Sequence, residues 1–125
     1  MCKCQYVSPK FDCKSRTICY LDAMEKTKIV TICGSMRFSK EQQRIAADLE
    51  LKNGYCFIQS VYGDGRNYTE HDIVMLDKLH KTKIDFSDAI YVVNIGGYIG
   101  NSTKSEIEYA ILTGKEVLYH ERNEE

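Results

Sequence analysis

The chain has 125 residues, 43% of them hydrophobic and 28% charged, and a formal net charge of −1. That length supports one hydrophobic core and not two. So even a charge balance offers no general attraction for a nucleic-acid polymer or an anionic membrane, and no apolar run reaches the length that spans a bilayer.

Residues 1–26 stand apart. They hold four of the six cysteines and the only proline, Pro9, with no long helical period. Met1 to Tyr20 has no apolar stretch like that of a signal peptide, so the protein is expected in the cytoplasm with its thiols reduced. Residues 27–125 are expected to form the α/β domain proper.

Lys28 to Ile32 predicts a short buried strand. Cys33 to Arg37 reads as a loop, and Ser39 with Gln42 three residues later has the spacing of a capping box. Ile45, Ala46 and Leu49 keep a helical period, and Gly54 stops the helix. Tyr55 to Val61 predicts a second strand. Gly63 to Asn67 is a loop by composition. Thr69 and Asp72 cap a second helix, one face of which carries Ile73, Leu76, Leu79 or His80, and Lys83 or Ile84. Ala89 to Asn94 follows as a strand, with Asp88 before it as a structural end to the helix. A glycine-rich loop, Gly96 to Gly100, leads to a third helix from about Ser102 to Thr113, and Gly114 stops it. Glu116 to His120 is the last strand, and a polar tail follows.

Strands alternating with helices predict a Rossmann-like or flavodoxin-like parallel sheet of about four or five strands, flanked by helices. Such sheets bind ligands beyond the carboxyl ends of their strands, where the strand order switches. Two loops fall at that edge. In the first, Gly34 lets backbone approach a ligand, Ser35 offers a hydroxyl, and Arg37 offers a fork suited to phosphate. The plain alternative is a tight turn with a solvated arginine. In the second, Gly97, Tyr98, Asn101, Ser102 and Thr103 lie at the start of a helix, whose free N–H groups favour an anion. Tyr98 offers a stacking wall for a base. Glu106 has an ordinary explanation as the partner of Thr103 in a capping box. Glu108 lies two residues further on and faces elsewhere. The two loops together can supply N–H and cationic donors on one side of a ligand and a carboxylate on the other.

Cys33-Gly34-Ser35-Met36-Arg37 resembles the phosphate loop of 2′-deoxynucleoside 5′-phosphate N-hydrolases. Ser87 to Val93, then Glu106-Ile107-Glu108-Tyr109-Ala110, then Gly114-Lys115-Glu116-Val117, is similar to the core of the wider nucleoside 2-deoxyribosyltransferase superfamily. The resemblance covers Lys28 to about Tyr119. It implies that Glu106 is a nucleophile at the anomeric carbon of a nucleoside or nucleoside 5′-monophosphate. It further implies that a glycosyl-enzyme forms and passes to water or a second base, as in retaining glycosidases. Gly34, Ser35 and Arg37 would hold the phosphate, helped by Ser102 and Thr103. No cofactor is required, and a homodimer or higher oligomer is expected. One position departs from the pattern: His80 stands where the family carries an aspartate. His80 is either a general acid toward the leaving base or a helix residue with a satisfied hydrogen bond. The loop at Gly96 to Gly100 also differs from the shorter acidic loops of that family.

Cys2, Cys4, Cys13 and Cys19 have two readings. They form a structural zinc knuckle, or they are small apolar residues in a hairpin of Gln5–Val7 against Thr17–Leu21. Cys33 and Cys56 are expected in the core. Two rival functions stay open beside glycosidic chemistry. One is a non-catalytic nucleotide sensor on the same fold. The other is a partner-binding module built on the cysteine segment.

Overall fold

The computed structural model describes residues 27–122. The cysteine segment, with Cys2, Cys4, Cys13 and Cys19, lies outside the described residues.

Chain order is β1 (Ile29–Gly34), α1 (Ser39–Asn53), β2 (Cys56–Ile58), α2 (Glu70–Asp85), β3 (Ala89–Val93), α3 (Asn101–Leu112) and β4 (Glu116–Tyr119). The strands form one four-stranded sheet, in the order β2-β1-β3-β4. Every pairing is parallel, with Thr31 opposite Ile90 and Ile58, and Ile90 opposite Val117. Both glycine stops hold: Gly54 and Gly114 follow their helices with φ of 72° and 78°, a left-handed backbone that a side chain would strain.

Alternation along the strands sorts the core into two layers. Val30 and Ile32 of β1 join Ala89 and Val93 of β3 against Ile45 and Ala46 of α1. Cys33 of β1 joins Ile90 and Val92 of β3 on the other face, against Ile84 of α2 and Ala110 of α3. Strands buried on both faces need apolar residues at nearly every position, which is why β1 and β3 read as continuous apolar runs. Each fully buried valine or isoleucine contributes roughly 1.5–3 kcal/mol. The sorting also has a chemical result: it sends Cys33 to the side of the sheet that carries α2 and α3.

Polar contacts fix the base of this arrangement. Asp88 accepts a hydrogen bond from the Ile29 N–H at 2.9 Å. The Ser87 and Thr31 hydroxyls are bonded to each other and both lie within hydrogen-bond distance of the Lys83 carbonyl; with one proton apiece, one donates to its neighbour and the other to that carbonyl. These bonds tie the end of α2 to β1.

Three sequence expectations change in detail. β2 is three residues long, and its Cys56 is exposed rather than in the core. A short edge strand buries mainly the one side chain that faces the core, here Phe57. The capping box at Ser39 does not form. A 3₁₀ turn, Met36–Phe38, precedes α1, and Ser35 caps that turn by accepting from the Arg37 N–H. Gln42 is fully buried and donates instead to the Ser35 carbonyl at 2.8 Å. The box at Thr69 and Asp72 forms with both bonds present.

Candidate active site

The chain leaves β1 toward β2 on one side and reaches β3 on the other. The carboxyl ends of β1 and β3 therefore open a crevice at the switch in strand order. A cleft of about 670 Å³ lies there, within the range of small-molecule sites.

Three loops and one helix face build its wall. Gly34 and Ser35 come from the end of β1, and Tyr98, Asn101, Ser102 and Thr103 from the loop and helix start after β3. The face of α2 supplies Ile73, Leu76, Asp77, His80 and Lys83. Sequence periodicity marked that stripe as one face of the helix without naming what it packs on. Its upper part lines the cleft: Ile73 is 55% exposed, while His80 and Ile84 are buried.

The second loop is held from behind. The buried Asn94 side chain exchanges two hydrogen bonds with the Glu121 backbone, at 2.8 and 3.0 Å. The Glu121 carboxylate accepts from the Gly96 N–H at 3.1 Å. Gly96 and Gly97 both have positive φ, 65° and 81°, so a tight reversal brings Tyr98 back over the cleft.

Of the residues singled out from sequence, Gly34, Ser35, His80, Tyr98, Asn101, Ser102, Thr103 and Glu106 share this one cleft. Arg37 and Gly97 lie outside its lining. Arg37 is nonetheless adjacent, because its guanidinium stands 3.8 Å from the Tyr98 ring centroid. Phe38 meets the same ring edge-on.

Glu106 is not a capping partner. Gly100 occupies the cap of α3, three positions earlier than the Thr103 cap that the sequence suggested, and makes no side-chain cap bond. Thr103 and Glu106 therefore lie inside the helix, one turn apart and both buried. Glu106 reaches the floor of the cleft, with its Oε1 3.8 Å from Nε2 of His80. Burial pushes its carboxyl up to about 7, against an opposing hydrogen bond from the Cys33 thiol. Burial likewise holds the His80 ring down to about 4, so it is neutral at pH 7. Burial pushes the Cys33 thiol well up, and the Glu106 charge adds to this.

Sequence reasoning missed Cys33. A cysteine in an apolar strand reads as core, and nothing local marks its neighbours. Its Sγ lies 3.5 Å from Nε2 of His80. The ligand atoms of Cys33, His80 and Glu106 all fall within 4.8 Å of one another. The wall residues Ser60 and Tyr68, between β2 and α2, were also missed. Loop composition alone does not show which way such residues face.

Compared with known proteins, the chain matches no family model and no curated sequence.

Proposed function

We propose that the chain cleaves or transfers the N-glycosidic bond of a nucleoside or nucleoside 5′-monophosphate, with Glu106 as nucleophile, in the manner of nucleoside 2-deoxyribosyltransferases. The observation that carries this reading is the position of Glu106. It is a buried carboxylate at the floor of a nucleotide-sized cleft, across from the Gly34-Ser35 loop.

The residues divide the work by position. Ser35, Asn101, Ser102 and the free N–H groups at the start of α3 take the 5′-phosphate. Arg37, steadied on Tyr98, adds charge at the rim. Tyr98 and the apolar stripe of α2 enclose base and sugar. An ionised Glu106 oxygen attacks the anomeric carbon. The carbon–nitrogen bond breaks, and the base leaves with the electron pair and takes a proton from solvent. A water, or the nitrogen of a second base, then attacks the same carbon. It gives up its own proton, and the ester bond to Glu106 breaks. His80, neutral beside Glu106, acts as a positioning residue. No cofactor is required. A homodimer belongs to the same reading, with Val74 and Met75, exposed on α2, covered by the second copy; light scattering measures that mass.

The test is release of free base from a panel of ribo- and deoxyribonucleosides and their 5′-monophosphates, followed by chromatography. Release by the native chain and not by Glu106→Ala is the expected result. No release from any member sinks the reading. One observation favours a second reading: the Glu106 carboxylate lies against Cys33 and His80 at the buried floor of the cleft. A nucleotide-binding domain without turnover would show a thermal shift with nucleotide and no base released.

A further inference from the structure

The glycosidic reading uses Glu106 and leaves Cys33 with no task. Cys33 is fully buried, yet it sits against His80 and Glu106 rather than among apolar side chains alone. The three side chains come from three elements, β1, α2 and α3. Their convergence is a product of the tertiary fold and not of a local motif.

We infer that Cys33, His80 and Glu106 form a three-donor site for one borderline-soft divalent cation, of which Zn²⁺ is the type. Three observations carry this. The first is spacing. Thiolate and imidazole ligands of a tetrahedral Zn²⁺, bonded at about 2.3 and 2.0 Å, stand about 3.5 Å apart, and imidazole and carboxylate ligands about 3.4 Å. The sulfur–nitrogen distance is 3.5 Å and the nitrogen–oxygen distance 3.8 Å. Small side-chain shifts bring all three onto one ion.

The second is donor chemistry. One sulfur, one nitrogen and one oxygen suit Zn²⁺ and exclude Mg²⁺ and Ca²⁺, which take oxygen ligands. A thiolate and a carboxylate together neutralise the ion, so a buried complex carries no net charge. The third is surroundings. Cys33 closes the site from below, while His80 and Glu106 reach the cleft. Three protein ligands with a fourth position facing a cleft is the open form of a zinc site.

Occupation has a consequence for the glycosidic reading. A carboxylate whose lone pair is held by Zn²⁺ is a poor nucleophile, so metal binding and attack by Glu106 exclude each other. Binding sends the Cys33 thiol proton to solvent.

The test is a titration with Co²⁺, a spectroscopic stand-in for Zn²⁺. It uses the full-length chain carrying C2S, C4S, C13S and C19S, because those thiols would bind metal themselves. The expected result is saturation at one equivalent, with the intense visible bands of a tetrahedral ion and a thiolate-to-cobalt charge-transfer band, all erased by Zn²⁺. Adding C33S removes the charge-transfer band, and adding H80Q weakens affinity at least tenfold. Failure to saturate at one equivalent overturns the proposal, as does a charge-transfer band that survives C33S. Should the multiple variant not fold, the same titration of the native chain reads the loss of one equivalent on C33S. Absorbance is the readout, so the result is separable from base release. In protein that does release base, one equivalent of Zn²⁺ stops release and a chelator restores it; undiminished release at saturation overturns ligation by Glu106.

Discussion

The guanidinium of Arg37 lies over the ring of Tyr98, 3.8 Å from its centroid. Two loops that are far apart in sequence are joined by this contact at the mouth of the cleft. Arg37 follows β1, and Tyr98 follows β3. A charge stacked on an aromatic face is held in place without being neutralised, so it stays available to an anion.

Arg37→Ala is therefore expected to raise KM for a nucleoside 5′-monophosphate about tenfold, the equivalent of about 1.4 kcal/mol. KM for the unphosphorylated nucleoside should not move. Tyr98→Ala should weaken both substrates, because it removes the stacking wall as well as the support for Arg37. Steady-state kinetics on the paired substrates checks this; equal effects of Arg37→Ala on both would dissociate Arg37 from the phosphate.

The pH dependence of base release follows from Glu106. Only the ionised carboxylate attacks, and burial sets its pKa at about 7. In the presence of a chelator, the rate should climb as pH rises toward 7 and level off above it. A rate already flat from pH 5 upward would mean that another step limits turnover.

The same burial makes Glu106 a cost to stability. Its folded-state pKa is raised above the ordinary 4.5. Its favourable contribution is therefore complete below about pH 4.5 and is lost as pH rises through 7. Glu106→Gln should match the native chain near pH 5 and exceed it at pH 8, by on the order of 1–3 kcal/mol. His80 works in the opposite direction: its folded pKa lies below the ordinary 6.5, so its contribution is lost as pH falls toward 4. That effect acts in both proteins. Urea unfolding at the two pH values measures it.

Gly34 is required by its neighbours. A Cβ there would stand 2.9 Å from Nε2 of Gln42 and 3.3 Å from Cβ of Val93. Gln42 is fully buried and holds the Ser35 carbonyl, so it cannot move aside freely. Gly34→Ala should cost about 1–3 kcal/mol of stability and loosen the Ser35 loop, seen as a lower Tm and a higher KM for monophosphates. A variant as stable and active as the native chain would rule out this packing.

The alternation of strands and helices was legible because each signal is local. Val30 and Ile32 mark a buried strand, Thr69 and Asp72 a helix start, Gly54 and Gly114 two helix ends. The start of α3 was less legible. Thr103 and Glu106 have the spacing of a capping box, but Gly100 takes the cap, and the shift turns both residues inward. The stripe on α2 was legible as a face but its neighbour was not, since a period of 3.6 does not say whether core or ligand lies opposite. Cys33 beside His80 could not be read at all. They are separated by 47 positions and meet only because β1 is the neighbour of β3 and both lie under α2 and α3.

The hydroxyls of Thr31 and Ser87 at the Lys83 carbonyl have a mechanical side. They moor only one end of α2. Lys115 and Tyr109 add two more moorings there, at the Asp85 carbonyl and carboxylate. The opposite end carries Ile73 and Val74, 55% and 68% exposed. Among the described residues of a single copy the helix is thus a lever with its fulcrum at the sheet, and amide exchange in the monomer should quicken steadily from Ile84 back to Glu70. The jaw of the cleft would swing where base and sugar enter, while the hinge keeps His80 still beside Glu106.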